Sequence, residues 1–111
     1  MRPRFRVLYG DDIALGPGKS ELLKQVAKTG SISVAAEKMG MSYMRAWTLI
    51  KTMEHCFKEP LVYTVRGGRE GGGAGLTETG QAAVALYEDM QNASLKASAE
   101  YWKKLEKLLK D

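Results

Sequence analysis

Apolar side chains in the first half of the chain recur every three or four positions, the spacing that places them on one face of an α-helix. Glycine interrupts this pattern twice, at Gly30 and Gly40, and helices commonly end at such a residue. Serine follows each interruption, as Ser31 and Ser42, and serine is a preferred N-cap. The pattern predicts a three-helix core within residues 19–60. Its helices would cover residues 19–29, 32–39 and 43 to about 57.

The N-terminus carries two short apolar stretches, FRVLY at residues 5–9 and IAL at residues 13–15, separated by Gly10-Asp11-Asp12. Aromatic and β-branched residues on either side of such a turn favour strands. Gly16-Pro17-Gly18 then interrupts the pattern. We expect a small hairpin or a pair of strands, preceded by a short arm, within residues 1–16.

The last third of the chain is predicted to be one long helix that Thr77 caps and that runs from Glu78 to about Lys110. It would be roughly 50 Å long, whereas a domain of this size is about 25–30 Å across. The apolar positions that we expect to face the core are Ala82, Ala83, Leu86, Tyr87 and Met90. A second group, called the distal seam below, consists of Leu95, Ser98, Trp102, Leu105 and Leu109. Its alternating spacing is typical of a coiled coil, so we expect the distal seam to be a dimer interface.

Six glycines stand among the thirteen residues VRGGREGGGAGLT, positions 65–77. A phosphate-binding loop would need G-x-G-x-x-G or a lysine after the glycines, and the run has neither. Residues 16–20 (GPGKS) are similar to the end of a Walker A loop, but Ile13 stands at the position of that motif's first glycine. A linker would leave one isolated helix behind it. The run therefore predicts a β-hairpin over residues 61–76, made of strand 61–65, a glycine tip and a short returning strand.

Residues 31–57 read as a short helix, a glycine-bearing turn and a longer helix. This is the order of a helix-turn-helix, whose second helix enters the major groove of DNA. Tyr43, Arg45 and Thr48 lie off the apolar face, near the end that meets base edges, and arginine can form two hydrogen bonds with guanine. Met44 lies at the same end and is a candidate contact for a thymine methyl group. The alternative is that any amphipathic helix exposes an arginine and a tyrosine.

A hairpin that follows a helix-turn-helix is a wing, and glycine lets its backbone approach a phosphate without side-chain collision. We expect phosphate contacts from Arg66 and Arg69 in the wing and from Lys51 on the third helix. The alternative is a hairpin that contacts nothing. The fold class we predict is mainly α with a small β component: a winged helix-turn-helix followed by a long C-terminal dimerisation helix.

Composition narrows the functional class. The 111 residues carry a net charge of +4, which favours acidic partners such as nucleic acid. No run of 18 apolar residues and no signal-peptide pattern occurs, so we expect a cytoplasmic protein without a membrane partner. Cys56, the single cysteine, and its neighbour His55 point about 100° apart on a helix, so we expect no metal site. No pair of general base and nucleophile stands out, and we expect neither an enzyme nor a bound cofactor.

Two stretches carry a resemblance to a known family. GSISVAAEKMGMSYMRAWTLIKTME, residues 30–54, followed by GGREGGGAGLTETG, residues 67–80, resembles the N-terminal DNA-binding domain of the ModE family of molybdate-responsive transcription regulators. More remotely, the chain is similar to the winged helix of LysR-type regulators. The shared landmarks are Ala35-Ala36, Pro60-Leu61 and Leu76-Thr77-Glu78-Thr79-Gly80.

The resemblance implies a homodimer that binds pseudo-palindromic operator DNA and is held together by its long C-terminal helix. The recognition-helix role maps onto Ser42, Tyr43, Arg45 and Thr48, and the wing role onto residues 66–75, with Gly67 and Gly68 included. Full regulators of this family carry an oxyanion-binding region after the dimer helix, and this chain ends at Asp111. We therefore expect no direct molybdate binding, with sensing by a separate protein or constitutive action.

Two other hypotheses stay open. In the first, the same fold is a protein-interaction adaptor that works through its helical seam and has only non-specific affinity for DNA, because a fold does not determine a function. In the second, the dimer interface itself is an oxyanion-responsive switch.

Overall fold

Four helices and two antiparallel hairpins make up the part of the chain that the structure describes, which confirms the predicted winged helix-turn-helix class. The computed structural model describes residues 3–68 and 71–110. In chain order the elements are β1 (Val7–Tyr9), β2 (Asp12–Leu15), α1 (Pro17–Thr29), α2 (Ile32–Lys38), α3 (Tyr43–Glu54), β3 (Val62–Gly68), β4 (Gly71–Leu76) and α4 (Glu78–Glu106). Strand β1 pairs with β2, and β3 pairs with β4.

Side-chain caps and glycine turns determine where the helices begin and end, as predicted. Ser31, Ser42 and Thr77 each accept a hydrogen bond from the backbone N–H three residues later, at 3.0–3.1 Å. Gly30 and Gly40 follow α1 and α2 with φ of 71° and 69°, a left-handed conformation that glycine adopts without strain. These bonds and turns set the direction in which α3 leaves α2.

Two helix boundaries differ from the prediction. Helix α1 begins at Pro17 rather than Lys19, because proline is well suited to the first turn, where its missing N–H would have no partner. Helix α3 ends at Glu54 rather than near Phe57. The residues after Glu54 form tighter turns with N–H···O distances of 2.9 and 3.2 Å to carbonyls three positions earlier, and these turns redirect the chain toward the wing.

The core lies between α1, α3 and the chain segment that enters β3. Its largest fully buried side chains are Leu22, Leu23, Val26, Ile50, Met53 and Leu61. Burying a side chain of this size contributes about 1.5–3 kcal/mol, so these residues supply much of the stability of the domain. Ala35, Ala36 and Ala46 are also buried, and their small side chains let α2 lie close to its neighbours.

The glycine run forms a strand rather than a free tip. Gly75 pairs with Tyr63 and Gly73 pairs with Val65, so the predicted glycine tip is wrong for residues 71–75. The absence of a side chain at Gly75 is compatible with this pairing. The Tyr63 ring lies across Gly75, where an added Cβ would be 2.5 Å from the tyrosine hydroxyl oxygen. Glycine thus allows an aromatic side chain to cover the opposite strand of the wing.

The first half of α4 packs on the core through a face that is rotated from the predicted one, although Ala83 and Tyr87 are buried as predicted. Its buried residues are Gly80, Ala83, Val84 and Tyr87. The expected contact residues Ala82, Leu86 and Met90 are exposed. Gly80 determines this rotation, because a Cβ there would collide with the carbonyl oxygen of Leu61. The Tyr87 hydroxyl donates a hydrogen bond to the Phe5 carbonyl oxygen at 2.8 Å, and this bond fixes the N-terminal segment against α4.

The second half of α4 extends away from the core. The molecule measures 57 Å along its long axis but only 31 and 24 Å across, and no residue of α4 beyond Tyr87 is buried. The helix ends at Glu106 instead of Lys110, and a bond of 2.9 Å from the Leu108 N–H to the Leu105 carbonyl closes the last turn. Leu109, the last member of the distal seam, therefore lies in this turn and not in the helix.

Candidate nucleic-acid interface

The buried face of α3 determines which of its side chains point outward. Ala46, Ile50 and Met53 are almost completely buried, at 0–1% exposure. At about 100° per residue, positions 44 and 48 lie on the opposite side of the helix. Met44 is 64% exposed, and Arg45 and Thr48 are exposed beside it. The outward face therefore offers a thioether, a guanidinium and a hydroxyl to any groove that α3 enters.

Backbone bonds hold the turn before α3. The Gly40 N–H donates to the Glu37 carbonyl at 3.1 Å, and the Met41 N–H donates to the Ala36 carbonyl at 3.0 Å. Ser42 is exposed, and its hydroxyl oxygen is engaged as the cap of α3. The N-terminal end of α3 is thus held in one orientation relative to α2.

An open cleft of about 210 Å³ separates the start of α2 and α3 from the wing. The hydroxyl-bearing side chains that line it are Ser31, Ser33, Tyr43 and Thr64. On its floor, the Ala74 N–H of β4 donates to the Gly30 carbonyl at 2.8 Å, which ties the wing to the turn before α2. Tyr43 is the residue of α3 in the lining, and hydroxyl groups such as those of the cleft are common phosphate donors.

A row of stacked side chains follows the wing-facing side of α3. The rings of Tyr43 and Trp47 stack with centroids 6.4 Å apart and an interplanar angle of 17°. The Lys51 ammonium lies 4.4 Å from the centre of the Trp47 ring, and its Nζ also donates to Glu54 Oε1 at 3.2 Å. The Lys51 ammonium therefore has partners within the protein, while its side chain is 48% exposed, and its phosphate contact stays a prediction.

Glu54 connects the end of α3 to the start of the wing. Its Oε2 accepts hydrogen bonds from the backbone N–H groups of Leu61 at 2.7 Å and of Val62 at 3.1 Å. Burial by itself would raise the pKa of Glu54, but the bonds from Val62 and Leu61, together with Lys51, outweigh it and hold the pKa below its usual value. The carboxylate is therefore charged at neutral pH.

The residues predicted to contact DNA fall into two groups. Ser42, Tyr43, Met44, Arg45 and Thr48 lie together at the N-terminal end of α3. Arg66 is exposed in β3, which also contains Gly67 and Gly68, while Arg69 lies outside the described residues.

Sequence reasoning missed Ser33 and Thr64, two hydroxyl-bearing residues that line the cleft. The position of Ser33 two residues after the Ser31 cap was an available signal, whereas only the folded wing brings Thr64 to the cleft.

The first four members of the distal seam lie on one side of α4, and Leu109 lies in the turn that follows. Leu95, Ser98 and Trp102 are partly exposed, and Leu105 and Leu109 are 51% and 44% exposed. Tyr101 and Leu108 beside them are more exposed still, at 74% and 82%. Exposed apolar patches are common at interaction surfaces, and the assignment of this one as a dimer interface stays a prediction.

Comparison with known proteins agrees with this geometry. The family model for bacterial regulatory helix-turn-helix proteins of the lysR family matches residues 19–81, which run from α1 through the wing into α4. The chain belongs to this family. The match covers both elements that form the candidate interface, α3 and the wing.

Individual relatives confirm the resemblance to ModE proteins. The chain is 40% identical over 83 residues to the molybdenum-pterin-binding protein MopA of Rhodobacter capsulatus, covering 75% of this chain and 31% of MopA. It is 42% identical over 78 residues to the molybdenum transport protein ModE of Azotobacter vinelandii, covering 70% and 29%. With the DNA-binding transcriptional dual regulator ModE of Escherichia coli (strain K12) the identity is 41% over 81 residues, covering 73% and 31%.

The matched region is only part of each relative: it spans about a third of the length of the curated proteins. The comparison therefore concerns the winged helix-turn-helix and the first part of α4. Across residues 3–68 and 71–110, no helix combines the length and the apolar character that crossing a lipid bilayer requires.

Proposed function

We propose that the protein is a sequence-specific DNA-binding transcription regulator that acts as a homodimer on a pseudo-palindromic operator. One observation carries the proposal: the exposed face of α3 is held next to a hydroxyl-lined cleft and a wing. Met44, Arg45 and Thr48 stand on that face while Ala46, Ile50 and Met53 anchor the other side. This arrangement presents base-reading groups and backbone-contacting groups to the same stretch of DNA.

The base contacts are assigned to the start of α3. Arg45 has a planar guanidinium that can donate two hydrogen bonds to guanine, a contact that contributes about 1–3 kcal/mol of discrimination. Met44 is apolar and suits the methyl group of thymine. Thr48 lies one turn further along the same face and can donate to or accept from a base edge.

The phosphate contacts are assigned to the wing and the cleft. Arg66 and the backbone amides of Gly67 and Gly68 would contact one strand, and we extend this role to Arg69 from the sequence alone. The hydroxyl groups of Ser33 and Thr64 would donate to phosphate oxygens within the cleft. These contacts set the register of the protein on DNA without reading its sequence.

The dimer is assigned to the second half of α4. Its distal seam is apolar, exposed and remote from the core of its own chain. Pairing two such helices would remove the seam from water and place two α3 helices on the same side of a duplex. Two recognition helices read half-sites about 34 Å apart, or one helical turn of DNA.

The relatives named for molybdenum suggest that the regulator responds to molybdenum status. We assign the sensing step to a partner protein or to a region outside the described residues. Among the residues described, the buried polar groups include the Ser20 hydroxyl and the Tyr87 hydroxyl, and the latter is engaged with the Phe5 carbonyl oxygen. Calorimetry with molybdate and tungstate should give no saturable heat, and a saturable signal would move sensing into this domain.

The experiment that tests the proposed function is the selection of random duplex DNA by the purified protein, followed by sequencing of the bound pool. Enrichment of a two-fold symmetric site with half-sites about 34 Å apart supports the proposal. A pool that stays random at physiological salt contradicts it and favours the protein-interaction adaptor.

A further inference from the structure

Glu54 bonds to two elements at once. Its Oε2 accepts the Leu61 and Val62 N–H groups at 2.7 and 3.1 Å, and its Oε1 accepts the Lys51 ammonium at 3.2 Å. Glu54 is the last residue of α3, and Val62 is the first residue of β3. The carboxylate is thus a direct connection between the recognition helix and the wing.

The same connection extends toward the DNA-facing end of α3. Lys51, which bonds to Glu54, also rests on the Trp47 ring, and Trp47 stacks on Tyr43. Tyr43 lines the cleft together with Thr64 of the wing. The row therefore starts beside the proposed base contacts and ends at the root of the wing.

The root of the wing is itself fastened at Leu61, which is completely buried. The Thr77 N–H donates to the Leu61 carbonyl at 3.0 Å, and the Thr77 hydroxyl donates to the Pro60 carbonyl at 2.6 Å. Both strands of the wing consequently meet at the segment that Glu54 holds. A movement of Glu54 relative to this segment would turn the whole hairpin.

We propose that Glu54 is a positioning residue for DNA binding, which fixes the wing at one angle to α3, and that Lys51 supports Glu54 instead of contacting phosphate. This inference rests on the proposed function. A carboxylate that accepts two backbone N–H groups and an ammonium forms charge-assisted bonds, which are stronger than neutral ones. Without it, two backbone donors lose their partner, and the wing is then tied to the helix-turn-helix by the buried Leu61 and Leu76 side chains and by the Ala74–Gly30 backbone bond.

The test is a double-mutant cycle between Glu54 and the wing residue Arg66, measured on the operator duplex from the selection. In the wild-type background, Arg66→Ala removes a phosphate contact and should weaken binding about tenfold. In the Glu54→Ala background, the wing no longer keeps its fixed angle to α3, and Arg66 is not held at the phosphate. Arg66→Ala should therefore reduce affinity much less. We expect the two costs to differ by at least about threefold, which is the size of a measurable coupling.

Glu59 supplies the matched control. It lies in the same connection between α3 and β3, it is exposed, and no hydrogen bond or ion pair involves its side chain in the described part of the chain. Glu59→Ala removes the same charge and should leave the cost of Arg66→Ala unchanged. Glu54→Gln is the conservative variant. Its amide oxygen can still accept one N–H, so its coupling should fall between those of the wild type and Glu54→Ala.

Binding is compared only among variants that circular dichroism shows to be folded, because a general loss of stability would reduce binding without changing the Arg66 effect. Should Glu54→Ala fail to fold, Glu54→Gln completes the cycle. Additive costs of Glu54 and Arg66 substitutions in folded protein would overturn the positioning role. A wild-type protein that selects no site would instead overturn the proposed function, so the two failures are distinguishable.

Discussion

Two surfaces of this molecule expose large side chains, and they differ in chemistry. The outward face of α3 combines Met44 with Arg45 and Thr48, so that apolar and hydrogen-bonding groups alternate over a short distance. The distal seam exposes Leu105 and Leu109, and the hydroxyl of its member Ser98 is bonded to the Ser94 carbonyl oxygen of the same helix. A groove of DNA presents both hydrogen-bonding edges and methyl groups, whereas another helix presents mainly aliphatic side chains.

The two surfaces also differ in how they are held. Helix α3 is fixed by a capped turn, by a buried inner face and by Glu54, so its exposed groups occupy defined positions. The distal half of α4 has no residue buried against its own chain. A surface that recognises base edges needs side chains in defined positions before DNA binds. A dimer seam can acquire its rigidity from the partner.

The largest effect on oligomeric state and operator affinity is expected from a charge placed in the distal seam. Leu105→Glu should convert the dimer to a monomer, because a carboxylate would be buried between two apolar helices without a partner. Operator affinity should fall by about 100-fold or more, since binding of two linked half-sites is lost. Sedimentation and binding to the selected duplex measure the two effects.

The control for that variant is Ala93→Glu, which adds the same charge at an exposed position on the other side of α4. It should leave both the oligomeric state and the affinity unchanged. A dimeric Leu105→Glu protein with normal affinity would remove the distal seam from the interface.

A smaller effect is expected when a cation is removed from the wing. Arg66→Ala should lower the slope of log affinity against log salt by about 0.9 for each phosphate that the protein no longer neutralises, or about 1.8 for a dimer with two wings. Lys107→Ala removes an equal charge at the far end of the chain and should leave the slope unchanged. Equal slopes for the wild type and Arg66→Ala would exclude this arginine from the phosphate contacts.

The smallest effect concerns the pH dependence of stability at Glu54. Because its pKa in the folded protein lies below the ordinary value of 4.5, the charged carboxylate stabilises the fold above that pH, and this contribution disappears as the pH falls through the folded-state pKa. The free energy of unfolding should therefore exceed that of Glu54→Gln by about 1 kcal/mol at neutral pH.

Urea unfolding of both proteins from neutral pH to acid checks this prediction. The difference between them should shrink below pH 4.5, the ordinary pKa of the group, while Glu59→Gln should track the wild type throughout. A difference that stays constant into acid would show that the charge of Glu54 does not stabilise the fold.

Local signals in the sequence predicted most of the fold. Ser31, Ser42 and Thr77 cap helices because a hydroxyl two or three residues before a free N–H is a local arrangement that the sequence displays directly. Left-handed glycines after α1 and α2 are local in the same sense. The amino-acid pattern alone is therefore enough to single out the N-terminal half of α3.

Long-range packing accounts for what the sequence could not predict. The core-facing side of α4 was predicted only in part, since Ala83 and Tyr87 are buried but Ala82, Leu86 and Met90 are not. Its rotation involves the close approach of Gly80 to Leu61, residues that meet only in the folded chain. In the strand formed by the glycine run, the Tyr63 side chain covers Gly75, and no spacing rule contains that contact. Glu54 and Lys51 form their network for the same reason, since Leu61 and Val62 reach Glu54 only after the chain turns back.

The central claim is that Arg45 reads a base from the outward face of α3, and repeating the duplex selection with Arg45→Ala and Arg45→Lys tests it most directly. The account predicts that Arg45→Ala keeps a two-fold symmetric site but loses preference at one position in each half-site. Arg45→Lys keeps the positive charge but cannot form the two parallel hydrogen bonds to guanine. Its base preference at that position should therefore lie between those of the wild type and Arg45→Ala. Identical sites for the wild type and Arg45→Ala would contradict the assignment of α3 as the reading helix.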